Sequence, residues 1–385
     1  MDFNFNDEQR QFADALKRWI ARDYTFEARR AIVESRQGVS DAAWATLAEL
    51  GMTALPVPEA QGGFSGSAVD MLVVMQELGR GLVVEPYLAT VLGAEFLRLG
   101  GRHHDLLERV ASGELKLACA LGERRSRHDM RDIGTRATPD ADGYLLSGEK
   151  KVVLHGAQAG MLVVSARSSG AGRSEAGISL FVIPADAAGL RITGYRTLDG
   201  LRAADVVLDG VRVDAGALIG AAGDAWPILD AALDYGAGLL CAEAVGAMEA
   251  IFDATLDYLK TRQQFGAPIG KFQALQHRMA DMVIHLEQAR SMALLAAVKL
   301  GASDPAERRR AVSAAKYRIN LAARFIGQQA VQLHGGMGVT DELPAAHLFK
   351  RLSTIELSLG DADHHLARFI AQPGFRDAAM EGAAA

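Results

Sequence analysis

Cysteine is nearly absent from this chain of 385 residues: there are two, Cys119 and Cys241. Each lies in an apolar stretch, LACAL and LLCAEAV. Thiols so placed exclude a disulfide framework and read as buried, reduced side chains. A basic excess is also missing. Asp and Glu outnumber Lys and Arg by 47 to 41, and the cations are scattered apart from short runs such as Arg308–Arg310, so no nucleic-acid partner is expected. No run of about eighteen apolar residues occurs, so no membrane span is expected. The opening MDFNFNDEQRQF has neither the basic start nor the apolar run of a signal peptide, and with the reduced thiols this leads us to expect a cytoplasmic protein. No metal site is expected, and no internal repeat is visible. Tryptophan is confined to Trp19, Trp44 and Trp226, which leaves none in the middle of the chain.

What is present is ordinary globular material, 49% hydrophobic and 23% charged, long enough for two or three domains. The opening reads helical: Asn6 and Gln9 fit a capping box, and Phe12, Leu16, Trp19 and Ile20 share one face. Further helices fit Ala42–Leu50, ended by Gly51, then Val69–Leu78 and Leu88–Leu99, with PVPEAQGGFSGS as a loop between them. From Leu115 the period shortens. LKLACAL, GYLLSG, KKVVLHG, GMLVVSA, GISLFVIP, LRITGY and ADVVLDGVRV read as strands of an antiparallel sheet, with SSGAGRSEAG as a hairpin loop. After Trp226 long helices return. One carries the stripe Phe272, Leu275, Met279, Met282, Val283 and Leu286. Another carries Val312, Ala315, Ile319, Ala322, Ile326 and Leu333, starts at Asp304-Pro305-Glu307 and stops at Gly335-Gly336. Such stripes need partners, and a four-helix bundle supplies them. The expected fold is α+β and multidomain: an N-terminal helical domain (1–114), a middle antiparallel β domain (115–222) and a C-terminal four-helix bundle (223–385).

Two segments carry chemistry. RQQFGAPIGKFQALQHRMADM (262–282) offers Arg262, a planar cation suited to a pyrophosphate, and breaks its helix at Gly266 and Pro268 so that Phe265 can face an adenine or ribose. QAVQLHGGMG (329–338) offers Gln332 for a phosphate or ribose oxygen, and Gly335-Gly336 for close backbone approach. Taken singly, Arg262 reads as a solvated helix-end charge and Gly-Gly as a plain helix stop. Their joint order reverses that. Together with ELPAAHLFKR, LAELGMTALPVPEAQGG and LSGEKKVVLHG, and over nearly the whole chain, the sequence resembles the acyl-CoA dehydrogenase family. The resemblance implies an FAD flavoprotein that α,β-dehydrogenates an acyl-CoA thioester and passes electrons to an electron-transferring flavoprotein.

Within that resemblance, expected side chains are missing. The family removes the substrate α-proton with a glutamate, usually just before a glycine near the C-terminus. Here the corresponding stretch is IELSLGDADHHLARF, with Leu359 before Gly360. The minority position, earlier in the bundle, falls on Gly236 beside Ala237. Loss of such a base lowers rates by about 10²–10⁴. Glu243, two helical turns after Gly236, and Asp361 and Asp363 are candidates for a displaced base; their plainer readings are an ion pair for the first and caps or turns for the others. The catalytic residue therefore stays unassigned. In the middle domain Gly122 stands at the family's threonine, and Val152-Val153-Leu154 at its flavin-packing Trp-Ile-Thr.

Family members share each flavin between two subunits. The residues kept here, Arg262, Gln264, Phe265, Gln332, Gly335 and Gly336, are those a subunit extends to its neighbour's FAD. The residues altered, Gly122, Val152, Leu154, Gly236 and Leu359, are those it would use itself. The chain thus most resembles the small, auxiliary subunits of heteromeric acyl-CoA dehydrogenases, partnered by a second family chain. Two alternatives stay open: an active homodimer or homotetramer with a relocated base, and a non-catalytic acyl-CoA-binding or scaffolding protein.

Overall fold

The computed structural model describes residues 5–373. Helices α1 (Asp7–Asp23), α2 (Phe26–Glu34), α3 (Asp41–Glu49), α4 (Ala68–Arg80), α5 (Tyr87–Gly100) and α6 (His104–Ala111) come first. Strands β1 (Leu117–Ala120), β2 (Arg136–Asp140), β3 (Gly143–Leu154), β4 (Met161–Arg167), β5 (Ile178–Pro184), β6 (Leu190–Arg196), β7 (Arg202–Asp214) and β8 (Leu218–Ile219) follow. The chain then continues through α7 (Trp226–Thr261), a hairpin of β9 (Gln263–Gln264) and β10 (Ala267–Pro268), α8 (Gln273–Leu300), α9 (Pro305–His334), α10 (Pro344–Leu357) and α11 (Ala362–Ile370). This is the expected succession of helical, sheet and helical-bundle domains. Within the described residues two compact units can be distinguished. One comprises residues 5–29, 68–83 and 237–373, the other Arg30–Ser67 and Val84–Gly236.

The first unit is helical. Asn6 caps α1 through a reciprocal pair: Gln9 N donates to its Oδ1 at 2.8 Å, and Asn6 N donates to Gln9 Oε1 at 2.9 Å. On α9 the whole stripe Val312, Ala315, Ile319, Ala322, Ile326 and Leu333 is buried, each large aliphatic contributing about 1.5–3 kcal/mol. On α8, Met279, Met282 and Leu286 are buried, but Phe272 and Val283 are exposed. Phe272 precedes the helix as its N-cap residue, and Val283 lies with Ile284 on an apolar face that the described chain leaves open. Glycine sets the crossing of α4 and α7. A Cβ at Gly79 would stand 2.1 Å from Glu243 O, and one at Gly246 would stand 1.8 Å from Gln76 O, so the two backbones touch.

The second unit is built on one sheet of order β6-β7-β3-β2-β4-β5-β8, with β1 paired to β4. Most pairings are antiparallel, as the alternating runs imply. Two are parallel: β1 against β4, and the single pair Arg136↔Arg167 of β2 and β4. β1 does not turn back as a hairpin; its successor crosses to β2 and β3 before β4 returns beside it. GYLLSG and KKVVLHG, two runs in the sequence, form the one strand β3, whose register shifts between Leu146 and Gly148 and again between Lys150 and Val153. Leu146, Leu162, Val164, Phe181, Ile183 and Val206 fill its core. Both cysteines carry free thiols; burial pushes that of Cys241, in α7, up to about 12. Among the described residues no helix is long and apolar enough to cross a membrane.

Candidate functional site

At the end of α7 the chain reverses through a two-residue hairpin, with Gln263 opposite Pro268 and Gln264 opposite Ala267. Phe265 and Gly266 form its turn with φ of +54° and +75°, the pattern of a type I′ turn. Glycine adopts this readily. For phenylalanine it is strained by about 1–2 kcal/mol. Intrachain packing does little to offset that: the Phe265 ring is 90% exposed, with an edge contact to Phe272 at 6.0 Å between centroids. Arg262 N donates to Tyr258 O at 2.8 Å, and Ile269 N to Arg262 O at 2.9 Å, closing the hairpin base. The Arg262 and Gln264 side chains are exposed, and neither has an ion pair or hydrogen bond among the described residues.

The second motif ends α9. Gly335, at φ +59° and ψ −141°, donates its N–H to Gln332 O and holds a conformation that side-chain-bearing residues rarely adopt. A Cβ at Gly335 or Gly336 would meet nothing within 4 Å, so this backbone faces open space. Gln332 is exposed and its amide is likewise unpaired among the described residues. The two motifs are joined by Arg278 Nη1 donating to Gln329 Oε1 at 3.0 Å, and beside Arg262 by a ring pair. Tyr258, one turn before Arg262, stacks on His334, the residue before Gly335, with centroids 4.5 Å apart and planes at 28°. All six candidate residues therefore gather at one end of the helical unit. An unpaired guanidinium, two unpaired amides, bare glycine backbone and a presented aromatic ring together fit a diphosphate joined to an aromatic base.

The Leu359–Gly360 turn is a different kind of place. Leu359 has φ +52° and Gly360 +113°. Buried donors pin their carbonyls. His365 Nε2 donates to Leu359 O at 2.9 Å, and Asn320 Nδ2 donates to Glu356 O at 3.1 Å and Gly360 O at 3.4 Å. Lys316 Nζ donates to Ile355 O at 2.7 Å and to Asn320 Oδ1 at 2.9 Å. Burial lowers the Lys316 ammonium to about 8. Burial, with the Lys316 charge, also takes His365 well below its usual range, so the neutral ring donates from Nε2. The sequence reading passed over Lys316, Asn320 and His365. The available signal was a polar pair four residues apart inside an alanine-rich buried helix.

Nearby carboxylates are engaged. Arg351 donates from Nε to Glu243 Oε1 at 2.6 Å and from Nη2 to Oε2 at 2.8 Å, with both side chains buried. A bidentate pair of this kind holds both carboxylate oxygens in a fixed geometry. Glu356 is paired with Arg324. Asp361 caps α11, accepting from His364 N at 2.9 Å, and Asp363 is exposed in the first turn. Gly236 is buried within α7.

In the sheet unit, Gly122 lies against β3: Lys151 N donates to its carbonyl at 2.8 Å. The neighbouring Glu123 accepts from Gly134 N at 2.6 Å, Thr135 N at 2.9 Å and Thr135 Oγ1 at 2.7 Å, and pairs with the fully buried Lys150 at 2.8 Å. Burial raises the Glu123 carboxyl, but the Lys150 charge and these bonds outweigh it and leave it lowered. Val152 has φ +54° and is 60% exposed, an outlier for a β-branched residue. Leu154 is half-buried. Gly122, Val152 and Leu154 offer no polar side chain.

Models of the acyl-CoA dehydrogenase N-terminal, middle and C-terminal domains match residues 6–114, 118–211 and 223–372. Probable acyl-CoA dehydrogenase YngJ of Bacillus subtilis (strain 168) is 30% identical over 375 residues, which cover 94% of this chain and 97% of that one. The chain belongs to the acyl-CoA dehydrogenase family. It is thereby a member of a family of oxidoreductases whose cofactor is FAD. Among solved structures it is similar to a variant of the Tcur3481-Tcur3483 steroid ACAD (TM-score 0.86, 30% identity, 98% of this chain and 99% of that one). It is also similar to a chain of the ChsE4-ChsE5 complex from Mycobacterium tuberculosis (TM-score 0.85, 27% identity, 96% and 97%).

Proposed function

We propose that this chain is the auxiliary subunit of a heteromeric acyl-CoA dehydrogenase, completing the FAD site of a second family chain without supplying the catalytic base. The observation that carries this reading is the Leu359–Gly360 turn: its backbone is strained and pinned by buried donors, as a site-presenting turn would be, yet the residue it presents is leucine. The relocated-base reading loses its best candidate, because both oxygens of Glu243 are held by Arg351. When bound, FAD supplies the hydride acceptor for α,β-dehydrogenation of an acyl-CoA. Arg262, Gln264, Gln332 and the Gly335-Gly336 backbone of this chain would hold its diphosphate and ribose, and Phe265 would face its adenine or ribose. The partner supplies the isoalloxazine contacts and the carboxylate. Two of the similar structures carry paired names, Tcur3481-Tcur3483 and ChsE4-ChsE5, and that supports a paired assembly. By family resemblance an electron-transferring flavoprotein receives the electrons.

Affinity purification of the tagged full-length chain from its source cells tests the proposal. The expected result is co-purification of a second family chain, with FAD in the complex and acyl-CoA oxidation by it. A homo-oligomer holding one FAD per chain and oxidising an acyl-CoA would overturn it.

A further inference from the structure

The two halves of the FAD-contact surface are far apart in sequence; Arg278 Nη1 donates to Gln329 Oε1 at 3.0 Å along the helices, and a ring stack joins the segments next to Arg262 and Gly335. Tyr258 sits on the last full turn of α7, with Arg262 N hydrogen-bonded to its carbonyl at 2.8 Å. His334 is buried at the last turn of α9, immediately before Gly335. Its Nδ1 is 2.8 Å from Ala330 O, which fixes Nδ1 as a donor and sets the plane of the ring. Tyr258 stacks on that plane at 4.5 Å. Neither ring is placed as a direct contact of the diphosphate. The stack lies between the strained hairpin at Phe265 and the glycine turn at Gly335.

We infer that Tyr258 and His334 are a positioning pair: their stack sets the distance between the Arg262 guanidinium and the Gly335-Gly336 backbone, so that one diphosphate is gripped from both sides. The inference rests on the half-site reading above. Aromatic pairs of this kind contribute enough that losing one changes an affinity about three- to tenfold, whereas losing the Arg262 fork changes it about ten- to a hundredfold.

The test uses the purified FAD-containing oligomer with Tyr258→Leu, Tyr258→Phe and Arg262→Ala in this chain, reading the FAD dissociation constant by flavin fluorescence and the melting temperature of the flavin-free protein. The expected pattern has three parts. Tyr258→Leu weakens FAD about three- to tenfold, with the flavin-free melting temperature near wild type. Tyr258→Phe, which keeps the ring, stays within about twofold. Arg262→Ala weakens FAD more than either. If Arg262→Ala weakens FAD and Tyr258→Leu does not, the positioning pair is wrong and the half-site reading stands. If Tyr258→Leu weakens FAD only in step with a fallen flavin-free melting temperature, the stack is merely structural and the inference is overturned. If none of the three changes FAD binding, the half-site reading itself fails and takes the inference with it.

Discussion

The end of the helical bundle and the surface around Gly122 and Val152 both contain a residue forced into the left-handed region, and they differ in what the strain presents. At the bundle end, Phe265 holds φ +54° and displays an exposed ring beside Arg262, Gln264 and Gln332, whose side chains have no partner among the described residues. On the sheet, Val152 holds the same φ and displays only an aliphatic side chain, with Gly122 and Leu154 adding nothing polar. Strain persists where the surrounding structure over-determines it. On the half-site proposal, the strain at the first place serves recognition of a polar ligand. At the second the strained backbone presents no polar side chain, and the pinned Leu359–Gly360 turn likewise presents a leucine. The difference is that similar backbone strain presents polar and aromatic groups at one place and only aliphatic ones at the other.

The sharpest way to break this contrast is to free Glu243. Arg351→Met leaves a buried carboxylate without its partner and should lower unfolding free energy by about 3–5 kcal/mol, read as the midpoint of urea denaturation. A change near zero would mean that Glu243 is not committed to structure and would reopen it as a base. Next in size is the bundle end itself. Arg262→Ala should weaken FAD about ten- to a hundredfold in the assembled protein, while thermal stability stays within about 0.5 kcal/mol because the side chain is exposed and unpaired.

The pinned turn can be read through pH. Lys316 titrates at about 8 in the folded chain against 10.5 when exposed. Between those values the unfolded chain keeps a proton that the folded chain has released, so this group's contribution to stability rises with pH across that window. Lys150, also lowered to about 8 by burial, adds a slope of the same sign. Lys316→Met should therefore flatten the gain between pH 8 and 9.5 by about 1–2 kcal/mol, leaving the Lys150 share. Urea midpoints of wild type and variant at the two pH values check this, and an identical slope in both would count against a buried, pKa-shifted Lys316.

The smallest effects address the two strained residues directly. Phe265→Asn suits a type I′ turn and should stabilise the chain by up to about 1 kcal/mol while weakening FAD. Val152→Gly should give a similar gain with FAD binding unchanged. Equal behaviour at the two sites, by differential scanning fluorimetry and flavin titration, would erase the distinction between them.

Local signals in the sequence carried much of this. The Asn6 capping box, the Asp304-Pro305 start and the buried stripe on α9 follow from neighbours within a turn or two. Helix α2 was not legible, because the side chain buried at its centre is Arg29, which donates Nε to Leu82 O at 2.8 Å. Nor was β2, whose RATPD run has a proline and only one buried residue. Long-range pairing was hidden as well: the parallel β1–β4 ladder and the Glu243–Arg351 pair join residues far apart in the chain. For the site, residue types at Arg262 and Gly335 could be recognised in sequence, whereas the Tyr258–His334 stack next to them required three dimensions.

One measurement bears most directly on the half-site account: the visible spectrum and FAD content of the purified chain on its own, then after mixing with its co-purifying partner. The account predicts a chain that alone is nearly colourless, with FAD far below one per chain, and a flavin spectrum that acyl-CoA bleaches only in the mixture. A yellow chain with one FAD per copy that acyl-CoA bleaches without any partner would contradict it.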